Sequence, residues 1–177
     1  VYEANIRYLH HLGEVTYFSP LADTSLPDAG FVYLPGGYPE LYLAALSANR
    51  QMLQSIRRYV ESGGKLLAEC GGMMYLCDEI RDKNGDVYPM AGVLHQSATM
   101  ENMKLRLGYR TLLYNETRLK GHEFHYSRLV EQQNPLPSCA VAYTAKGVET
   151  DTPLYHYKNV WAGYTHLYWA DPVGNEW

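Results

Sequence analysis

One stretch, Lys65–Leu76, constrains the fold more than any other part of the sequence. It joins a short apolar run to Cys70, two glycines and a helix-like segment. This order is typical of a nucleophile elbow, in which a buried strand turns sharply into a helix and presents one side chain at the turn. Because a helix N-terminus favours a thiolate over a thiol, the elbow predicts a lowered pKa for Cys70. The alternative is a structural role, since free cysteine is among the most buried residue types.

Segments with helical and strand periodicity alternate in the first half of the chain. The predicted elements there are helices over Glu3–Leu12, from an Asn49 N-cap to about Ser62 and from the elbow to about Ile80, and strands at Val15–Phe18, Phe31–Leu34 and Lys65–Ala68. The first helix has a predicted apolar face of Ile6, Leu9 and Leu12. Asn84-Gly85 predicts a tight turn over Asp82–Asp86.

Beyond Gly92 the pattern changes to strands. The predicted strands are Leu105–Tyr114, Glu123–Leu129, Val141–Thr144 and Tyr155–Tyr168. The whole pattern predicts an α/β fold with a mostly parallel sheet flanked by helices and an antiparallel extension in the C-terminal half. The helix-like segment begins almost at Val1, whereas α/β domains usually begin with a strand. We therefore expect a single domain, 1–177, excised from a longer protein and lacking its first strand.

Composition excludes several classes of function. The 177 residues are 46% hydrophobic and 19% charged, as in a soluble globular domain. A net charge of -4 argues against nucleic acid as a partner, and no apolar run is long enough to predict a membrane span. Three cysteines without zinc-like spacing suit a reducing cytoplasm, and we expect no metal site.

A second glycine-rich segment, Leu34–Glu40, follows a buried strand and contains Gly36, Gly37 and Tyr38. Free N–H groups in such a turn can stabilise an oxyanion, and the N–H of Gly71 is a candidate second donor. Carboxyl ends of parallel strands are where α/β folds bind ligands, so this loop and the elbow are predicted at one sheet edge. The alternative is an ordinary turn at the end of a strand.

A cysteine nucleophile needs a base, and two histidines are candidates. His125 lies in the polar segment Gly121–Ser127, where strand alternation places Glu123 and His125 on one side. His166 ends a strand-like stretch, which suits a base presented at a sheet edge. These patterns alone do not choose between them.

Taken together, these segments resemble the C-terminal glutaminase domain of cobyrinic acid a,c-diamide synthases. The matching stretches, which cover nearly the whole chain, are Phe18–Leu21, Leu34–Glu40, Ala68–Gly72, Leu107–Arg110 and Gly121–Ser127. The resemblance implies a class I glutaminase-like, flavodoxin-like fold that releases ammonia from L-glutamine. It also implies an N-terminal synthetase domain as the partner, which uses ATP and Mg²⁺ to turn corrinoid carboxylates into amides. We expect no cofactor in the glutaminase domain itself.

The resemblance assigns roles to individual residues. It makes Cys70 the nucleophile and His166 the base, with oxyanion-hole amides at Gly37 and Gly71. The residues implied to bind substrate or shape the site are Gly36, Tyr38, Gly72, Glu123 and His125. Class I glutaminases carry a glutamate two residues after the histidine, where this chain has Tyr168. The alternatives are a Cys–His dyad or a third member such as Glu69 or Glu123.

Three other functions remain open from the sequence. The domain could serve a synthetase for hydrogenobyrinic acid or a nickel-sirohydrochlorin, since the acceptor is read mainly elsewhere. It could be a docking module without catalysis, although Cys70, His166 and both glycine loops argue against that. It could be a cysteine peptidase of the same fold. We also expect weak activity without the synthetase, and an exposed edge strand would favour a homodimer.

Overall fold

The computed structural model describes residues 1–169. Within them, the α-helices are α1 Glu3–Leu12, α2 Leu43–Ala48, α3 Arg50–Glu61 and α4 Gly71–Leu76, with a 3-10 turn at Pro39–Leu41. The strands are β1 Phe31–Leu34, β2 Lys65–Glu69, β3 Glu79–Arg81, β4 Val87–Pro89, β5 Ser97–Thr99, β6 Arg106–Tyr114, β7 Thr117–His125, β8 Arg128–Leu129, β9 Val141–Thr144, β10 Glu149–Thr150, β11 Leu154–Tyr157, β12 Val160–Gly163 and β13 His166–Leu167. None of these helices is long and apolar enough to cross a membrane.

The central sheet has the strand order β1-β2-β12-β11, in which β1, β2 and β12 are parallel and β11 is antiparallel. Its register pairs Leu34 with Ala68 and Glu69 with Gly163. The carboxyl ends of three neighbouring strands therefore meet at one edge. The glycine loop, the elbow and the segment that leads to His166 all begin there.

Strand β2 is the centre of the core because both of its faces are covered. Leu66 and Ala68 pack into a cluster with Ile56 of α3, whereas Leu67 packs on the opposite side with Leu112. Burial of a leucine side chain contributes about 1.5–3 kcal/mol, so a strand buried on both faces is held firmly. Because the elbow directly follows β2, its position is fixed as well.

The C-terminal half adds two further sheets. An antiparallel sheet has the order β10-β9-β6-β7-β13, and a mixed sheet has the order β4-β3-β5-β8. In β7 the side chains alternate between buried and exposed, and Glu123 and His125 lie on one side, as predicted, which is the buried side. The expected α/β fold with an antiparallel extension is confirmed.

Several predicted elements are confirmed with their boundaries. Helix α1, strand β1 and strand β9 coincide with the predicted ranges. Asn49 caps α3 through its side-chain oxygen, which accepts a hydrogen bond from the N–H of Met52. Gly85 has a φ of 86° in the turn that joins β3 to β4, a conformation that glycine adopts without steric cost.

Other predictions were wrong. Val15–Phe18 is not a strand, because it has no strand beside it to complete a ladder within residues 1–169. The helix after the elbow ends at Leu76 instead of Ile80, since Ile80 lies in β3, between β4 and β5. In α1, the fully buried residue is Asn5, and Leu12 is exposed.

The long strands predicted in the C-terminal half also differ from the structure. Glu123–Leu129 contains the end of β7 and the whole of β8, which belong to different sheets. Tyr155–Tyr168 contains β12, β13 and most of β11. An apolar run does not reveal where a chain leaves one sheet for another, because both environments bury the same residue types.

Candidate active site

Cys70 lies at a sharp turn between β2 and α4. Its φ of 50° and ψ of -111° lie outside the regions that non-glycine residues usually adopt, at a cost of about 1–3 kcal/mol. The turn is held by the N–H of Cys70, which donates to the carbonyl of Gly163 at 2.8 Å. Gly72 permits the close packing behind it, since a Cβ there would lie 2.2 Å from the carbonyl oxygen of Leu34. This geometry is that of the predicted elbow.

The electrostatics of the thiol differ from the prediction. Burial raises the pKa of Cys70 to about 12, and the carboxylates of Glu40, Glu69 and Glu123 act in the same direction. The hydrogen bond from the N–H of Gly71 opposes them but does not compensate. The predicted lowering of the pKa was therefore wrong, because α4 is only six residues long and the thiol is 5% exposed.

The glycine loop after β1 lies against the elbow. A Cβ on Gly71 would be 2.6 Å from the carbonyl oxygen of Gly37, so the two predicted oxyanion-hole residues are neighbours. Gly36 approaches His166 in the same way, with an added Cβ 2.1 Å from the ring carbon Cε1. Tyr38 is exposed at the rim of this loop.

His166 is buried beside the loop. Its ring stacks on that of His122, with centroids 4.8 Å apart and an interplanar angle of 16°. Burial lowers the pKa of His166 to about 4, and the charge of His122 acts in the same direction. The imidazole is therefore a neutral base at physiological pH.

The two candidate third members occupy different positions. Oε2 of Glu69 lies 3.9 Å from Nδ1 of His166. Glu123 instead binds Arg110 at 2.6 Å and accepts a hydrogen bond from Thr152 at 2.5 Å. Burial, which raises the pKa of Glu123, is outweighed by these partners and by His125, so its pKa is lowered.

His125 belongs to a buried polar cluster with Ser127 and Tyr164. Its ring stacks on Tyr164 at 3.7 Å, and its Nδ1 is 2.8 Å from the carbonyl of Ser127. The hydroxyl of Ser127 is 2.9 Å from that of Tyr164. The thiol of Cys70 donates to the carbonyl of Phe124, beside this cluster, at 3.7 Å. His125 thus packs within this cluster, whereas His166 lies against the glycine loop.

One cavity lies against the elbow and another lies beside His125. A cavity of about 270 Å³ is lined by both glycine segments, including Gly37, Tyr38, Gly71 and Gly72. A second cavity of about 520 Å³ lies on the side of His125, with Glu123, Arg106 and Asp151 in its wall. The first has the predicted oxyanion-hole residues, and the second has most of the charges.

Sequence reasoning missed three residues of this site. Tyr33 donates to Glu69, His122 stacks on His166, and Asn5 donates to the carbonyl of Leu167. An asparagine on the inner face of a helix was the one available signal, because a fully buried amide needs partners. The contacts of Tyr33 and His122 depend on tertiary packing.

The sequence was compared with known families and proteins. Residues 1–173 match the sequence family of CobB/CobQ-like glutamine amidotransferase domains. Hydrogenobyrinate a,c-diamide synthase of Pseudomonas aeruginosa is 39% identical over 95% of this chain and 38% of its own length. Cobyrinate a,c-diamide synthases of Fusobacterium nucleatum and Salmonella typhimurium are 39% and 35% identical, over 94% and 96% of this chain and 38% and 39% of theirs. The chain thus spans about two fifths of the length of these relatives.

Two solved structures share the fold at low identity. A glutamine amidotransferase has a TM-score of 0.51 and 19% identity, with 77% of this chain and 70% of that chain covered. PurLQS from Thermotoga maritima has a TM-score of 0.51 and 15% identity, with 82% and 72% covered. At this identity the likeness concerns the fold, and it agrees with the α/β architecture described above.

Proposed function

The chain belongs to the family of CobB/CobQ-like glutamine amidotransferase domains, and from that premise we propose that it hydrolyses glutamine to glutamate and ammonia through a thioester on Cys70. The observation that carries this proposal is the convergence at one sheet edge. The strained elbow ends β2, while His166 follows the neighbouring β12 and touches Gly36 of the loop after β1. A nucleophile, a base and a glycine loop are the parts that acyl transfer requires.

The first half of the reaction forms the thioester. His166 accepts the proton of Cys70 at Nε2 as the sulfur attacks the side-chain amide carbon of glutamine. The N–H groups of Gly37 and Gly71 stabilise the oxyanion, each contributing on the order of 2.7–4 kcal/mol in the transition state. His166 then returns the proton to the departing nitrogen, and ammonia leaves.

The second half regenerates the enzyme. His166 takes a proton from water, whose oxygen attacks the thioester carbon, and the C–S bond breaks with return of the proton to Cys70. Glutamate is released. Both residues rest in their neutral forms, since the pKa of Cys70 is raised to about 12 and that of His166 is lowered to about 4, so the thiolate and the imidazolium form only as the reaction proceeds.

We propose that the ammonia serves an ATP-dependent a,c-diamidation of cobyrinic acid. The support is the name of the Fusobacterium nucleatum relative, a cobyrinate a,c-diamide synthase, whose length leaves room for a synthetase part that would bind ATP and Mg²⁺. Hydrogenobyrinic acid is a second candidate acceptor, because the Pseudomonas aeruginosa relative is named for it at the same identity. In either case the synthetase part is the expected partner.

Release of glutamate from glutamine tests the catalytic proposal. The chain and its Cys70→Ser variant are incubated with isotopically labelled glutamine, and labelled glutamate is quantified. We expect slow release by the chain and none by the variant. Equal release by both, or cleavage of peptides in preference to glutamine, would contradict it.

A further inference from the structure

One nitrogen of His166 faces a carboxylate without a hydrogen bond between them. Nδ1 is buried and has no hydrogen-bond partner, and Oε2 of Glu69 lies 3.9 Å away. A charge-assisted N–H···O bond is about 2.8 Å long, so a ring movement of about 1 Å closes this gap. Catalytic hydrogen bonds are often long before substrate binds and tighten in the reacting complex.

Glu69 itself is fixed at both oxygens. Oε1 accepts the backbone N–H of Leu167 at 3.1 Å, and Oε2 accepts the hydroxyl of Tyr33 at 2.5 Å. One carboxylate thus binds the backbone immediately after His166 and faces the ring of the same residue. Asn5 holds this segment from the other side, through the carbonyl of Leu167 and the N–H of Trp169.

Glu123, the other candidate for a third catalytic-site member that orients His166, is unsuitable. Glu123 forms an ion pair with Arg110 and accepts a hydrogen bond from Thr152. Its other close neighbour is His125, whose Nε2 is 3.8 Å away. The position two residues after His166 is occupied by Tyr168, which has no carboxylate. Within residues 1–169, Glu69 is the carboxylate that lies beside the histidine.

We propose that Glu69 is the positioning residue of His166, holding the imidazole at Nδ1 so that Nε2 is free to accept the proton of Cys70. The assignment rests on the proposed function, in which His166 is the base. As the proton moves from sulfur to Nε2, the imidazolium donates its Nδ1–H in a hydrogen bond to Oε2 of Glu69.

The surroundings make this carboxylate responsive to pH. Burial raises the pKa of Glu69 to about 7, against the lowering effect of the hydrogen bonds from Tyr33 and Leu167. The other titratable groups that act on the pair are His122 and His125 of β7, Cys70 of the elbow, and Tyr2 and the N-terminal amine ahead of α1. The carboxylate form, which the mechanism needs, therefore predominates above neutral pH.

Two readouts on Glu69→Gln test the proposal. The first is NMR of histidine-labelled protein at pH 8, which reports the tautomer of His166, with His166→Gln used to assign the signal. We expect the proton on Nδ1 in the parent and a shift toward Nε2–H in the variant. The second is labelling of Cys70 by the glutamine analogue 6-diazo-5-oxo-norleucine, which we expect to slow by about a hundredfold.

Glu40→Gln is the matched control. Both Glu40 and Glu69 raise the pKa of Cys70, so removal of either charge favours the thiolate. We therefore expect labelling of Glu40→Gln to be unchanged or faster. Slower labelling of Glu69→Gln alone then reports the loss of His166 positioning and not a change at the thiol.

Glu69→Asp separates the effect of the negative charge from the effect of side-chain length. It retains the carboxylate on a shorter side chain, so labelling should fall less than in Glu69→Gln. Equal losses in the two variants, or a folded Glu69→Gln with the parental tautomer and labelling rate, would overturn the assignment. If the analogue fails to label the parent while the tautomer still depends on Glu69, the proposed function fails and the positioning role stands.

Discussion

Individual residues in this site have charges set by burial more than by the helix behind them. Cys70 and His166 are both shifted toward their neutral forms, with pKa values of about 12 and 4. A resting thiolate–imidazolium pair is therefore disfavoured, and both charges must form during the reaction.

The opposite shifts of Glu69 and His166 predict opposite effects on stability. Burial raises the folded-state pKa of Glu69 from 4.5 to about 7, so between these values the folded state binds more protons and stability falls as pH rises. For His166, lowered from 6.5 to about 4, the unfolded state binds more protons and stability rises with pH.

Urea unfolding from pH 4 to 7.5 measures both effects. Relative to the parent, Glu69→Gln should gain stability as pH rises from about 4.5 to 7, whereas His166→Gln should lose it between about 4 and 6.5. Differences from the parent remove the contributions of other groups. Parallel curves for both variants would show that neither residue has a shifted pKa.

For single residues, the sequence located the elbow at Cys70 but not the environment of its side chain. Side-chain types and spacing located the elbow at Cys70, because an elbow is a local pattern, but they left His125 and His166 open as the base, and only the family resemblance selected His166. The pKa of Cys70 depends on burial and on Glu40, Glu69 and Glu123, which approach it only in the folded chain. Such long-range terms have no local signature.

Among the elements, the elbow depends on close backbone packing. In Gly72→Ala the new methyl group would meet the carbonyl of Leu34, so β1 and α4 must separate. We expect a loss of about 1–3 kcal/mol in the free energy of unfolding, measured by urea titration. Gly30→Ala is the control, since nothing lies within 4 Å of its Cβ position. Equal stabilities of the two variants would contradict the packing described.

The glycine loop makes a second prediction. Gly36→Ala places a methyl group against Cε1 of His166, so the ring must move away from its position between the loop and His122. We expect labelling of Cys70 by the glutamine analogue to fall by about tenfold or more, while Gly30→Ala labels like the parent. Mass spectrometry over time measures both rates. Parental labelling by Gly36→Ala would exclude a role for this contact.

Elements with strong local signals were predicted well, and those decided by pairing were not. The cap at Asn49 and the turn at Gly85 are encoded by a few adjacent residues. Val15–Phe18 has strand-forming residues but no ladder partner among the described residues, and Ile80 is in a strand because β4 and β5 flank it. Pairing partners lie far away in sequence and are invisible to a window of neighbouring residues.

The whole chain spans about two fifths of the length of its relatives, so its glutaminase activity is expected to depend on a further domain. We expect the chain fused behind the synthetase part of the Pseudomonas aeruginosa relative to release glutamate faster than the chain alone, because docking orders the site and excludes water. The same fusion with Cys70→Ser is the control. No increase over the isolated chain would mean that this glutaminase does not depend on such a partner.

The proposed role of Cys70 is that of the nucleophile in a formed glutamine site. Mass spectrometry after incubation with 6-diazo-5-oxo-norleucine, with Cys70→Ser alongside, measures whether its thiol reacts there. We expect one adduct, on Cys70, that excess glutamine prevents. No adduct, or equal modification of Cys70, Cys77 and Cys139, would contradict it and favour a docking domain without catalysis.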